Sequence, residues 1–293
     1  MSSRFLRPLI SKIEIERKFL PTRPLLHALT LTSTTVPTLP PSIARAHPAL
    51  VHFIRDIYYD RHDERLAAEG LWVRRRSVVG GSSTSSLASS WEAKVRVGGD
   101  FAASQFVEVE GAEAVEREVR RVLGDCVALD KIGEQLVVMS DLTTRRLSGR
   151  LELHYEDGND VADELQLQNL TVAIDQVVET TAGDFAASRA VLEQMQAGRD
   201  GGGVHNSPDL FFHEIGELEL MTEVRTEAAA IGNNQAEHHT REHETRRKAV
   251  AGARAAQLEA FMRAHPALFP MTPRPRGKLN AYFSWRKDRA APR

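Results

Sequence analysis

The sequence predicts an α+β fold: an antiparallel sheet of about eight strands closed into a β-barrel tunnel, with an ionic interior and helices packed outside. Three observations lead there. Short stretches that alternate charged and apolar residues recur along the chain, as antiparallel strands do. Their charged faces are nearly all ionic and segregate by sign, whereas a solvated face usually mixes charges with Thr, Ser and Gln. Between and after the strands, apolar residues at helical spacing supply covering helices.

Composition narrows the class. The chain has 293 residues, 42% hydrophobic and 27% charged, enough for a globular protein with a sizeable core. No linker divides it into halves with separate cores, so residues 1–293 read as a single domain, with insertions at about 28–50, 79–90, 176–210 and 222–250. A net charge of -2 gives no global pull toward nucleic acid, and any anion site must be local. Cys126 is the only cysteine, which rules out an intrachain disulfide and favours a reducing compartment. No apolar run approaches the roughly 20 residues of a membrane helix, and a cleavable presequence has little room before Ile13. The expectation is a cytoplasmic monomer that binds neither membrane nor nucleic acid.

The first strand, Ile13-Glu14-Ile15-Glu16-Arg17-Lys18-Phe19-Leu20, sets the pattern. Glu14, Glu16 and Lys18 point one way and Ile13, Ile15 and Phe19 the other, with Arg17 the one charge on that side. Such a face cannot be dried without several kcal/mol of desolvation unless its charges find partners. Pro21 and Pro24 break the pattern, and the Thr-, Pro- and Ala-rich residues 28–50 read as irregular. Strands follow at Phe53–Asp60 and Leu71–Arg76, then a Gly/Ser tract from Gly80 to Ser90 that reads as a mobile hairpin loop. Trp91–Val97 and Gln105–Glu110 alternate cleanly.

From Glu113 to Leu123 the period changes. Val115, Val119, Val122 and Leu123 form one helical stripe that Gly124 ends. Strands are expected around Thr143–Arg146, from Leu170 to Asp175 and from His213 to Leu220. Residues 176–210, with Gly198 through Gly203, read as a loop-rich and partly disordered insertion. A polar stretch leads into an amphipathic helix with Val250, Leu258, Phe261 and Met262 inward, and Gly277–Phe283 is the last readable element.

Alternation sorts the charges. Arg74 and Arg76 share a face opposed by Arg75; Glu92, Lys94 and Arg96 share one, as do Glu108 and Glu110, and Glu217 and Glu219. Asp175 points away from Val172 and Ile174. Two acid pairs brought together repel unless a cation sits between them, and clustered bases call for an anion. Mg²⁺ held by carboxylates and by substrate phosphates answers both demands.

These stretches resemble the CYTH family, the triphosphate tunnel metalloenzymes, whose first strand carries Glu-x-Glu-x-Lys. The resemblance rests on IEIERKFL (13–20), RDIYYD (55–60), LWVRRR (71–76), WEAK (91–94), TTRR (143–146), GELEL (216–220) and GKLNAYF (277–283), in the family's order. Within the family the thiamine triphosphatases are the nearest match. The resemblance implies Mg²⁺-dependent hydrolysis of thiamine triphosphate, with Mn²⁺ as an alternative ion. It implies metal binding by Glu14, Glu16, Asp175, Glu217 and Glu219, and triphosphate contacts from Lys18, Arg74, Arg76, Lys94, Arg146 and Lys278. Either Arg145 or Arg146 fits TTRR by alternation, and Arg146 matches the family arginine. Glu108 takes the acidic position on its strand. Trp72 shares the ionic face, where an indole can stack on a cationic ring. The resemblance names no water-activating residue, and inorganic or nucleoside triphosphates, or simple polyphosphate binding, are the alternatives it leaves.

Other features stay structural. Tyr58 and Tyr59 are explained by strand preference. His239 and His243 have the i, i+4 spacing of a zinc helix but lack the neighbouring Glu and a third ligand, so a solvated charged helix is expected. Gly201–Gly203 lacks the Lys-Ser/Thr of a phosphate loop, and Cys126 reads as a small core residue.

Overall fold

Alternation at period two produces strands wherever the sequence shows it. A computed structural model describes residues 9–30, 39–40, 42–47, 49–80, 89–100, 102–124, 135–153, 167, 170–201, 209–226 and 235–290. Its strands are β1 (Leu9–Phe19), β2 (Ile43–Ala46), β3 (Leu50–Asp60), β4 (Leu71–Gly80), β5 (Ser89–Gly99), β6 (Ala103–Glu110), β7 (Val137–Leu153), β8 (Leu170–Glu179) and β9 (Phe212–Thr226). The helices are α1 (Arg23–Thr30), α2 (Arg65–Ala68), α3 (Ala112–Leu123), α4 (Phe185–Gly201), α5 (Gln235–Ala264) and α6 (Lys278–Ala290).

The strands run in the order β7-β3-β4-β5-β6-β1-β9-β8, all antiparallel, and β8 pairs back onto β7. Eight strands therefore close into a ring, which leaves no open edge along the circuit; β2 pairs with the end of β7 that runs past β3. The ring is the antiparallel tunnel that the charge pattern predicts.

The apolar faces point outward, and helices cover them. Ile13, Ile15 and Phe19 of β1 pack with Leu258 and Met262 of α5 and with Leu268 and Phe269 beyond it. Arg17, the charge on that outer face, is answered by Glu259 of α5 at 2.5 Å. Val115 and Val119 of α3 cover Val73 and Ala93, while Phe185 and Leu192 of α4 cover Phe53 and Val178. At one mouth the arrangement changes. Leu142 and Val177 share the parity of the inward charges, and Tyr282 of α6 packs on them together with Phe211. That helix lies over one end of the tunnel.

Four expectations need correction. Residues 176–210 are not loop-rich where described: β8 continues to Glu179, and Phe185–Gly201 is helical. Ala, Leu, Gln and Arg favour a helix there, and burial of Phe185 and Leu192 outweighs the glycines at its end. Within 28–50, α1 buries Ala28 and Leu29, and within 222–250 the described part of the polar run is mostly the exposed start of α5. His243 is not solvated, because its ring bonds Ser11 Oγ at 2.8 Å and Thr226 Oγ1 at 2.7 Å, fastening α5 to β1 and β9. The Gly/Ser tract at 81–88, Gly202, Gly203 and Cys126 lie outside the described residues. No described helix is long and apolar enough to cross a membrane.

One close approach is testable. Phe19 sits opposite Gly216, and a Cβ at that position would lie 2.3 Å from two atoms of its ring. Gly216→Ala should therefore cost about 1–3 kcal/mol in overpacking. In denaturant melts, adding Phe19→Leu should restore part of the loss. A Gly216→Ala protein as stable as wild type would show that the ring does not rest on this contact.

Candidate functional site

Closing the ring turns the charged strand faces toward one another. Register then decides which charges meet. Glu16 lies opposite Glu219 and Lys18 opposite Glu217; Arg146 lies opposite Asp175, Asp56 opposite Arg76, and Lys94 opposite both Trp72 and Glu108.

Three clusters result. In the first, the fully buried Asp56 carboxylate accepts two hydrogen bonds from Arg76, at 2.7 and 2.8 Å, and one from Lys278 at 2.9 Å. Arg74 stands 3.8 Å from Asp56 and donates to Glu92 at 2.7 Å. In the second, Lys94 bonds Glu14 and lies 3.4 Å from Glu16 and 3.6 Å from Glu108, while Lys18 bonds Glu16 and lies 3.4 Å from Glu217. In the third, Arg146 forks onto Asp175 at 2.7 and 2.8 Å and reaches Glu217 at 3.1 Å and Glu219 at 3.4 Å.

A cavity of about 110 Å³ opens among them. Lys18, Arg74, Lys94, Arg146, Lys278, Glu16 and Glu217 line it, with Tyr58, Trp72 and Phe106 as its aromatic wall. Trp72 meets the Phe106 ring nearly edge-on at 5.5 Å, and the Arg96 guanidinium lies over the indole at 4.6 Å.

Burial and neighbours move the protonation equilibria in opposite directions. Burial works to raise the Glu217 carboxyl, but the fields of Lys18, Arg146, Lys94 and Lys278 outweigh it and hold it at about 2. Glu219 goes up to about 7, chiefly through burial; Arg146 opposes the rise, and the carboxylates of Glu14 and Glu217 add to it. Asp56 is also desolvated, yet Arg76, Lys278 and Arg74 keep it well below the usual carboxylate range.

The structure gathers Glu14, Glu16, Lys18, Arg74, Arg76, Lys94, Arg146, Asp175, Glu217, Glu219 and Lys278 into these clusters, with Glu108 beside Lys94 and Trp72 on the cavity wall. Arg75 is exposed and bonds Ser89, and Arg145 bonds Gln176 rather than the acid cluster that holds Arg146. Asp56, Glu92 and Tyr58 were missed as site residues. Asp56 left a signal, since aspartate is depleted in strands and this one shares a strand face with Tyr58 inside a β-rich run. Glu92 shares the Lys94 face.

Among the described residues, no three acidic or histidine side chains stand ready as a metal-binding group. The donor chemistry nevertheless fits a hard divalent cation. Glu14, Glu16, Asp175, Glu217 and Glu219 occupy the adjacent strands β1, β9 and β8, and mutual repulsion helps to raise Glu219. These acids, paired with only three bases, Lys18, Lys94 and Arg146, offer oxygen-only ligands of the kind that suits Mg²⁺ or Mn²⁺.

No family model and no curated protein matches this chain. Solved structures similar to it include the PH1819 protein of Pyrococcus horikoshii OT3, at 13% identity over 80% of this chain and 89% of that one, with a TM-score of 0.32. Another is HpAC1 from Hippeastrum, a putative adenylyl cyclase described as having a dominant triphosphatase activity; it shows 14% identity over 93% and 95% of the two chains, with a TM-score of 0.38. A third is a putative adenylate cyclase of Bacillus halodurans, at 13% identity over 93% and 99%, with a TM-score of 0.36. These likenesses are too distant to carry fold or activity across.

Two outcomes are expected from the geometry. If the cavity receives a phosphate chain, Arg74→Ala and Arg76→Ala should each cost about 1.5–3 kcal/mol of binding, whereas Arg75→Ala should leave it unchanged. Equal losses from all three, measured by titration calorimetry with tripolyphosphate, would break the inward-outward assignment. The second outcome concerns pH. Because Glu219 titrates near 7 when folded against an ordinary 4.5, the metal-free protein loses stability as pH rises across that interval. Glu219→Gln, which stays neutral, should therefore have an unfolding free energy about 1–3 kcal/mol above wild type at pH 8 in EDTA, with a higher melting temperature, and should match wild type near pH 4.5. A variant that melts lower at pH 8 would contradict the shift.

Proposed function

We propose that this protein hydrolyses a triphosphate with the help of a divalent cation inside the tunnel. The observation that carries the reading is the closed ring that turns clusters of paired Lys, Arg, Asp and Glu inward around a cavity with one aromatic wall. The sequence resemblance to the triphosphate tunnel metalloenzymes points the same way.

In this reading Lys18, Arg74, Arg76, Lys94, Arg146 and Lys278 receive the phosphate oxygens and hold the chain in line. Glu14, Glu16, Asp175, Glu217 and Glu219 hold Mg²⁺ or Mn²⁺. When bound, the cation supplies charge neutralisation and a more acidic water. Water adds to the terminal phosphorus, the bond to the bridging oxygen breaks, and inorganic phosphate and a diphosphate leave. The chain's own groups act by positioning and by neutralising charge, which is most of what phosphoryl transfer asks of a protein.

The finer reading is thiamine triphosphate as substrate, with Trp72 stacking on the thiazolium. One observation favours a substrate without a ring, inorganic triphosphate: Arg96 already lies over the indole. A cationic ring must displace it or use the other face.

The first test is phosphate release from thiamine triphosphate, inorganic triphosphate and ATP, with and without Mg²⁺. Activity should require the metal, and Glu16→Gln and Glu219→Gln should each remove most of it. Full metal-dependent turnover by either variant would sink the metal assignment. The second test separates the substrates. A desolvated cation–π contact is worth about 2 kcal/mol, or roughly thirtyfold in kcat/KM. Trp72→Ala should lose that factor on thiamine triphosphate and little on inorganic triphosphate. Parallel losses on both would assign Trp72 to packing and favour the ring-free substrate.

A further inference from the structure

Asp56 lies in the RDIYYD stretch, yet neither the expected phosphate contacts nor the proposed metal set gives it a role. Its carboxylate has no solvent exposure, and it does not line the cavity, whereas Arg74 and Lys278 do. A ligand in the cavity therefore meets Arg74 and Lys278, while Arg76, like Asp56, does not line it. Both Asp56 oxygens are engaged: Oδ1 takes Arg76 Nε at 2.7 Å with Arg74 Nε 3.8 Å away, and Oδ2 takes Arg76 Nη2 at 2.8 Å and Lys278 Nζ at 2.9 Å.

These partners come from different places. Arg74 and Arg76 belong to β4, the neighbour of β3 in the ring, and Lys278 is the first residue of α6. Arg74 has a second acid, Glu92, but Asp56 is the acid that Lys278 bonds. A single carboxylate thus fixes the fork of Arg76 and draws the leading end of α6 to the tunnel. It leaves an excess of positive charge facing the cavity.

We propose that Asp56 is a positioning residue for the anion subsite formed by Arg74, Arg76 and Lys278. The inference rests on the triphosphate reading above and adds to it the group that aims those cations. Asp56 acts through them and does not touch the phosphate.

The sign of one substitution tests this. A buried carboxylate that merely sat behind the cations would repel a polyanion, and neutralising it would tighten binding. A carboxylate that positions them does the opposite, because an amide offers one oxygen where two are used and turns N–H groups toward donors. Asp56→Asn should therefore bind tripolyphosphate roughly tenfold to hundredfold more weakly than wild type, by calorimetry on folded protein in EDTA and in Mg²⁺. Equal or tighter binding overturns the proposal. If Asp56→Asn does not fold, the comparison moves to Lys278→Met against Lys278→Met with Asp56→Asn, which removes one charge of each sign. The paired variant should bind more weakly than Lys278→Met alone, and equal or tighter binding again overturns the proposal. A wild type that neither binds nor hydrolyses tripolyphosphate would remove the functional reading itself, a result distinct from a wild type that binds and an Asp56→Asn that matches it.

Discussion

A charge taken out of water must meet another charge. Desolvating an unpaired carboxylate or ammonium costs several kcal/mol, and removing one partner of a buried pair costs about 3–5 kcal/mol. The tunnel meets this condition on every side. Arg146 spans three acids, Lys94 spans three, and Asp56 gathers two arginines and a lysine. Such pairs contribute little net stability, because their attraction mainly repays desolvation. They are therefore poor candidates for what holds the ring together.

Stability has to come from the other face. With the charges turned inward, Ile13, Ile15, Val73, Ala93 and Val178 point outward, and each needs an apolar cover. The helices supply it, and this accounts for α3, α4 and α5 lying outside the ring. The layering is an ordinary core placed around the sheet. Arg17 and His243 show how its polar exceptions are handled: one is paired with Glu259, and the other is bonded at both ring nitrogens. At the α6 end the inward positions Leu142 and Val177 are themselves apolar, so α6 can enter that mouth and bring Lys278 with it.

Much of this was legible in the sequence because a strand has period two. That Glu14, Glu16 and Lys18, Arg74 and Arg76, and Glu217 and Glu219 share faces, with Lys94 on the charged face of its strand, follows from parity. That these faces turn inward follows from their ionic, sign-segregated make-up. The choice of Arg146 over Arg145 needed the family match, and the register agrees with it. What parity cannot give is the partner, since pairing depends on strand order and register across distant segments. Asp56 meets Arg76 and Lys278 only once β3, β4 and α6 are in place, and those residues lie far apart in the chain. Helix α4 was obscured for a different reason. Its terminal glycines dominated the local composition, while the contacts that stabilise it come from Phe53 and Val178 on other elements.

Acids and bases that saturate one another look ill suited to binding a polyanion. Each phosphate oxygen must take a lysine or arginine from a carboxylate, and that carboxylate would then be left buried and unpaired. The cost disappears if a divalent cation takes up the released carboxylates as the phosphate takes up the released bases. Lys18, Lys94 and Arg146 are the groups through which the exchange would pass, because each bridges acids of the proposed metal set. Asp56 stands apart from that set. Three cations there face two acids, Asp56 and Glu92, so the subsite of Arg74, Arg76 and Lys278 keeps one positive charge in excess and can accept negative charge without giving up Asp56. On the proposed function, the tunnel thus has one sector where metal and phosphate must arrive together and another that is ready for phosphate alone.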